Sequence, residues 1–407
     1  MCLFWEPAII GKMRIIFRWS GYNTYTLAVL IGLLQERMVP GKFVIDTADT
    51  AEAAIRKSRA DSDITVLAYS FCTPQFNNVK KEIKLIRKTL GAKVIIICGG
   101  PHTSALPENV LKAGADFSFV GETEESLPHF LNSLYETGGK YKERIIYPLP
   151  LKDFDSYPPF AYKIGFLTPV EIRRGCKTGC TFCQTPRMFG CIRERSIEYV
   201  KKTANHMKRA GREIIYFLIP DALSYGSENN NVDLSGLESL LKEVRSTGVK
   251  INLGNFPSEV SPRKLVRFPE AASILKKYVR NTKILIGGQS ASENVLRIMK
   301  RDHNVEDITD SVKILKGNGF TPIVDVLLGI PGETRQDRLD TLKFMGSLAE
   351  KHKARLNLHY FIPLPGTPLA DTRPEPLEDE IKEKMLSMIR CGHARGNFLE
   401  QLGNFTP

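Results

Sequence analysis

The sequence predicts an α/β chain in two parts: an amino-terminal doubly wound parallel sheet, then a partial (β/α)6 barrel ending in a short helical tail. Three observations carry that prediction. Apolar, β-like runs alternate with amphipathic stretches over most of the 407 residues, the pattern of strand–helix–strand units with parallel strands. A segment holding Gly138, Gly139, Pro148, Pro150, Pro158 and Pro159 interrupts the alternation and reads as an extended linker between two domains. After it the alternation restarts with six further strand–helix units. The expected divisions are 13–137 for the first domain, 138–165 for the linker, 166–371 for the barrel and 372–407 for the tail.

With 42% hydrophobic residues the chain can bury a large core. No apolar run approaches the roughly 18 residues of a membrane span, and residues 1–12 lack the pattern of a signal peptide. No integral membrane segment is expected, and the cytoplasm is the expected location. Because Met13 opens a strand at once, residues 1–12 are expected to be dispensable. The net charge of +12 is compatible with an anionic partner. Its lysines and arginines are spread over helix faces, as in Lys80-Lys81-Glu82-Ile83-Lys84, so a solvated surface is the expectation and nucleic acid is not. Eight cysteines, three of them clustered, do not make a secreted disulfide pattern and point to a reducing, oxygen-poor setting.

In the first domain, strand candidates begin at Ile15, Phe43, Ile64, Lys93 and Phe117, with helical stretches between them. Such sheets bind ligands beyond the carboxyl ends of their strands. The loops at those ends are 18–23, 70–76 with Ser70, Gly99-Gly100-Pro101-His102, and Gly121-Glu122-Thr123-Glu124. Gly99 and Gly100 permit close backbone approach to a flat ligand, or simply a strand–helix turn.

The barrel's strand candidates are 166–172, 213–219, 249–253, 283–286, 322–328 and 355–361. Function belongs at their carboxyl ends. After the first comes Cys176-Lys-Thr-Gly-Cys180-Thr-Phe-Cys183, with Gly175 and Gly179 allowing the tight turns that bring three thiolates together. Three ligands leave one iron of a four-iron cluster open to bind a small molecule. Cys191 is a possible fourth ligand; a structural zinc site or three unrelated thiols are the plain alternatives, although zinc ribbons pair two C-x2-C units and only one is present.

Arg173-Arg174-Gly175-Cys176 through Cys183 resembles the radical S-adenosylmethionine (SAM) superfamily. The resemblance implies a four-iron four-sulfur (4Fe-4S) cluster on Cys176, Cys180 and Cys183, catalytic and metal-binding at once, whose open iron chelates SAM. It also places Phe182 against the adenine. Asp221, after the second strand, is a candidate acceptor for the SAM amino group or a turn cap; Ser258 and Glu259 follow the third strand. Gly287-Gly288-Gln289-Ser290 resembles the family segment whose Glu-Ser pair bonds the SAM ribose, with Gln289 in place of the glutamate. Arg301 is a candidate for the SAM carboxylate. Gly329-Ile330-Pro331-Gly332-Glu333-Thr334 closely resembles a family signature, implying adenine contacts at Gly329 and Ile330 and a helix opened favourably by Glu333. His359 to Pro368 is also similar to this branch, so the resemblance runs from about Met13 to about Asp371.

The four loops of the first domain together resemble the cobalamin-binding domain that precedes the barrel in one branch of the superfamily. Cobalamin contacts are expected at Ser70, Gly99, Gly100, Pro101, His102, Gly121 and Glu122. The first loop has no D-x-H-x-x-G, so no histidine is available as a lower axial ligand. The resemblance implies reductive cleavage of SAM to a 5′-deoxyadenosyl radical, leading to cobalamin-dependent C-methylation of an unactivated carbon. Ring closure, rearrangement or carbon–carbon coupling, an RNA methylthiotransferase, and a non-catalytic cobalamin or redox sensor are the alternatives. A small-molecule or lipid-like substrate and a low-potential electron donor such as ferredoxin or flavodoxin are the expected partners. The tail, 372–407, is expected to form a charged helix over 377–389 that closes the barrel mouth.

Overall fold

The structure, a computed structural model, describes residues 11–403 other than 61, 168, 229 and 230; the segment expected to be dispensable, 1–12, lies outside it except for its last two residues. The chain divides into two compact units, Met1–Thr168 and Pro169–Pro407.

In the first unit six parallel strands, β1 (Met13–Arg18), β2 (Phe43–Ala48), β3 (Ile64–Ser70), β4 (Ile95–Gly99), β5 (Phe117–Phe119) and β6 (Ile145–Ile146), lie in the order β2-β1-β3-β4-β5-β6. Successive side chains of a strand leave the sheet on opposite sides, and both sides are apolar here. Ile15, Phe17, Val66 and Ala68 pack with the helices Thr24–Arg37 and Ser126–Glu136. Ile16, Leu67, Tyr69 and Ile96 pack with Ala51–Ser58 and Phe76–Leu90. The strand order reverses between β1 and β3, so the open crevice of a doubly wound sheet falls there. Asn23 bridges it: its Nδ2 donates to the carbonyls of Arg18 (2.9 Å) and Ser70 (3.0 Å).

Residues 138–165 do not run free as a linker. β6 adds to the sheet edge, and Phe154, Tyr157, Phe160 and Ala161 are buried within the first unit. Gly32 lies inside a helix because of this packing: a Cβ there would lie 2.5 Å from the Phe160 carbonyl oxygen. Tyr157 Oη accepts from the Lys152 amide and donates to Glu125 Oε1, both at 2.7 Å. Pro and Gly content identified irregular backbone correctly, but irregular backbone packs well when its aromatics find a helix groove.

The second unit carries all six expected barrel strands: β7 (Val170–Glu171), β10 (Ile214–Leu218), β11 (Lys250–Asn252), β12 (Lys283–Gln289), β13 (Thr321–Leu328) and β14 (Arg355–Tyr360). Between β7 and β10 a small antiparallel pair, β8 (Arg173–Arg174) with β9 (Arg193–Glu194), was not anticipated. The parallel series β7-β10-β11 joins β12-β13-β14 through the 254–260 segment, where Leu285 N donates to Gly254 O (2.7 Å) and Val260 N to Leu285 O (2.8 Å). The first strand is shorter than the expected 166–172, since Phe166 pairs back antiparallel with Ala161.

The tail is integral to this unit. The helix Asp379–Arg390 buries Ile381 and Met385, and β15 (Ala394–Arg395) pairs in parallel with β14. Glu375 also ties down the turn after β13. Its amide donates to Gly329 O and its carboxylate accepts from Gly332 N, both at 2.9 Å.

Candidate active site

The cysteine loop leaves the carboxyl end of β7 through β8, and its arginines fix the departure. Arg173, 5% exposed, pairs with Glu194 and donates to the carbonyls of Ser224 and Ser227; Arg174 Nη2 meets Glu171 Oε2 at 2.6 Å. Gly175, at φ +90°, admits no Cβ, which would lie 2.8 Å from Cys191 O. Further on, Thr181 N and Oγ1 donate to the carbonyls of Met299 (3.1 Å) and Ile298 (2.9 Å), and Gln184 Nε2 to Pro365 O (2.8 Å). The loop is thereby anchored to the segments that follow β12 and β14.

Cys176, Cys180 and Cys183 are free thiols, Cys180 buried and the other two partly exposed. Burial pushes the pKa values of Cys180 and Cys183 up, with Arg301 opposing at Cys180 and Thr185 opposing at Cys183. Among the described residues no three His, Cys, Asp or Glu side chains converge on the position of one ion. A four-iron cubane takes each thiolate on a different iron. Arg301 Nη1 donates to Cys180 Sγ at 3.2 Å, a cation placed against a thiol that must ionise to bind iron. The donor set therefore fits the cluster. Cys191 is exposed, and its sulfur accepts from Arg193 Nη1 at 2.8 Å rather than joining the three.

Around the loop, the expected SAM residues divide. Gly287, Gln289, Arg301 and Glu259 converge: a Cβ on Gly287 would lie 2.9 Å from both Arg301 Nη2 and Glu259 Oε2 and 3.3 Å from Gln289 Nε2. Gln289 stands at φ +68°, where a side chain other than glycine is strained, beside a register shift in β12. Phe182 packs with Ile330, Met299 and Leu369 in an apolar cluster suited to one wall of an adenine pocket.

Four expected contacts are engaged elsewhere. Asp221 Oδ2 is paired with Lys264 Nζ at 2.9 Å, and its other oxygen accepts from the amides of Leu223 and Ser261. Ser290 is fully buried, bonded to Thr341 Oγ1 (3.1 Å) and accepting from Ser292 N (3.1 Å). Gly329, at φ +86°, is required by the Tyr360 ring, which a Cβ would overlap. Glu333 does not open the next helix. Its Oε2 folds back to accept from Gly329 N (2.6 Å), while Thr334 and Asp337 form the capping box that starts Arg335–His352.

Glu259, named in the sequence without a role, joins the group of Gly287, Gln289 and Arg301. No hydrogen bond to its carboxylate is formed among the described residues. Burial lifts its pKa to about 7, with Arg301 opposing and Asp325 and Asp221 adding to the rise. A carboxylate held this way answers to an incoming cation. Its signal in sequence was only its place just beyond the third strand.

In the first unit, the turn after β4 shows what its glycines serve. A Cβ on Gly100 (φ +91°) would lie 2.7 Å from Phe71 N, so this glycine is fixed by the protein's own backbone. Gly99 has only ordinary contacts, at 3.7 and 3.9 Å. Ser104 Oγ donates to Gly100 O (2.9 Å) and accepts from Gly121 N (3.0 Å), linking two of the four loops. Ser70, 8% exposed, closes the third. His102 is not an open contact: it is 2% exposed, stacked against both Phe76 (4.2 Å) and Phe71 (5.5 Å), with Nδ1 bonded to Thr73 Oγ1 (3.2 Å). Burial lowers its pKa to about 4, so the ring is neutral. Its Nε2 and the Thr103 hydroxyl are buried without a partner among the described residues. Linked loops at the strand carboxyl ends fit a large polar ligand.

Comparison with known proteins agrees with both halves. The profile of the Radical SAM superfamily matches residues 170–345, and that of the B12 binding domain matches residues 24–131. An uncharacterised protein of Methanopyrus kandleri is 25% identical over 330 residues, 68% of this chain and 62% of its own length. The threonylcarbamoyladenosine tRNA methylthiotransferase of Mus musculus is 31% identical over 237 residues, 58% of this chain and 39% of its own. The chain thus spans less than two thirds of the length of either relative. Among solved structures, the radical SAM methyltransferase TsrM of Kitasatospora setae, with cobalamin and a four-iron four-sulfur cluster bound, has a TM-score of 0.66 at 14% identity, covering 88% of this chain and 77% of its own. At that identity the likeness is one of fold. No helix among the described residues is long and apolar enough to cross a membrane. The three-thiol loop, the barrel that carries it and the two matched profiles together make this chain a member of the radical SAM superfamily, in the branch with an amino-terminal B12-binding domain, whose cofactors are a four-iron four-sulfur cluster, SAM and cobalamin.

Proposed function

We propose that the protein is a cobalamin-dependent radical SAM methyltransferase acting on an unactivated carbon of a small molecule. The observation that carries the reading is the convergence of Glu259, Arg301 and Gln289 beside the three-cysteine loop, in a chain that also holds a B12-binding domain. When bound, the cofactors supply the electron that cleaves SAM to methionine and a 5′-deoxyadenosyl radical, and the methyl group. Cys176, Cys180 and Cys183 hold the cluster, and Arg301 balances the charge of Cys180. Glu259, rather than the Lys264-paired Asp221, receives the SAM amino group, and Gln289 hydrogen-bonds the ribose edge. Phe182 and Ile330 cover the adenine and keep water from the radical. A low-potential donor supplies the electron.

A methylthiotransferase reading draws on the mouse relative. Against it, the first unit's sequence holds only Cys72 and Cys98 besides Cys2, too few in a suitable arrangement for a second three-cysteine cluster.

The test is anaerobic reconstitution with iron, sulfide and hydroxocobalamin, followed by desalting, metal analysis and assay of 5′-deoxyadenosine. Four irons and one cobalt per chain with SAM cleavage are expected; iron without cobalt would remove the methyl-transfer proposal. Glu259→Gln should keep the cluster absorbance and weaken SAM binding about tenfold, on the order of 1.4 kcal/mol. Unchanged SAM affinity would return the amino group to Asp221.

A further inference from the structure

Four barrel strands, β10, β11, β13 and β14, seal one face and leave the other partly open. Ile215, Ile251, Val324, Val326, Leu356 and Leu358 are fully buried under the helices. Their alternates, which line the lumen, include Tyr216 opposite Asn252 and Asp325 opposite Asn357, with His359 two residues further along β14. The interior of such a barrel is ordinarily filled by branched apolar side chains.

Three of these polar residues form one array. Asn357 Nδ2 donates to Asp325 Oδ1 at 2.7 Å and to His359 Nε2 at 2.9 Å, and Nε2 lies 3.7 Å from the same carboxylate oxygen. An amide nitrogen only donates, so Nε2 accepts and the imidazole proton is on Nδ1. Asp325, with its side chain 15% exposed, has no Lys or Arg within ion-pair distance among the described residues. Elsewhere on the lumen wall, Asn252 Oδ1 is buried with no partner among those residues.

The unmet capacity in the lumen is mostly acceptor: Asp325 Oδ2 and Asn252 Oδ1, against one donor at His359 Nδ1. None of these residues belongs to the segments assigned to the cluster or SAM. We propose that the substrate taken in the barrel lumen bears an N–H donor, an ammonium or an amide, docked on Asp325, with Asn357 fixing His359 as a positioning residue that donates to a neighbouring oxygen. The proposal rests on the radical SAM reading, which makes the lumen the place of reaction.

Its test is ligand-observed NMR on the full chain, reconstituted anaerobically with SAM bound so that Glu259 is occupied, using benzylamine, benzamide and benzoate as probes of one shape. Benzylamine or benzamide should bind at least tenfold more tightly than benzoate, and Asp325→Asn should abolish the preference. Equal binding, a preference for benzoate, no binding by any probe, or a preference that survives in Asp325→Asn overturns the inference. The wild-type comparison decides the matter if the variant does not fold. Assay of 5′-deoxyadenosine on the same wild-type sample separates the two ideas: cleavage without an N–H preference sinks the lumen site alone, whereas absence of cleavage sinks the proposed function.

Discussion

Glu333 offers a sharp test because its carboxyl group is fully buried, with one oxygen lacking any partner among the described residues. Burial raises its pKa to about 7 from an ordinary 4.5, against the opposing Gly329 amide and Arg338. A carboxyl raised in the folded state favours folding fully while protonated, below the unfolded pKa, and that advantage is lost as pH rises through about 7. The full effect is roughly 3 kcal/mol at 1.36 kcal/mol per pH unit, and about 2 kcal/mol of it develops between pH 5.5 and 8.5. Glu333→Gln keeps an acceptor for Gly329 N and cannot ionise. Its melting temperature relative to wild type should therefore climb by about 4–8 °C over that interval, at about 2–4 °C per kcal/mol for a unit of this size. Differential scanning calorimetry of the full chain at the two pH values measures this directly. A difference that stays constant with pH would refute the buried, near-neutral carboxyl.

Replacing Cys176, Cys180 or Cys183 by Ala should abolish both the cluster's visible absorbance and SAM cleavage, whereas Cys191→Ala should leave both in place; anaerobic spectra and 5′-deoxyadenosine assays check it. The two glycines after β4 should behave differently. Gly99→Val, entering space with only ordinary contacts, should weaken cobalamin binding measured by cobalt retention while leaving the first unit folded; Gly100→Val, pressed into the Phe71 backbone, should destabilise that unit outright. Tyr157→Phe removes a hydroxyl that both accepts and donates, at a cost of about 1–3 kcal/mol visible in chemical denaturation, and an unchanged midpoint would show that 138–165 adds nothing to the first unit.

The fold was legible because both sheets are parallel and buried on their helix-facing sides, which writes near-continuous apolar runs such as Ile64–Ser70 and Thr321–Leu328 into the sequence. Short pairs such as Arg173–Arg174 with Arg193–Glu194 leave no such trace, since two residues have no period. The cysteine loop was legible from spacing alone. Exposure was not: Ser290, Glu333 and His102 stand in expected site segments, yet their side chains turn inward to serve the scaffold. Asp221 and Glu259 are both acids just past strand ends, and only the position of Lys264 distinguishes the engaged one from the available one. Asp325 and His359, 34 residues apart in sequence, become neighbours only through the β13–β14 register.

The parallel pairing of Ala394–Arg395 with Leu356–Asn357 bears on how the barrel is assembled during synthesis. A nascent chain that has completed β14 still presents an unpaired strand edge, and the Gly329–Gly332 turn still lacks Glu375 to hold it. Until those later residues emerge, the barrel has an open seam able to recruit a foreign strand. The Ala394–Arg395 strand therefore covers an edge that β14 would otherwise leave open.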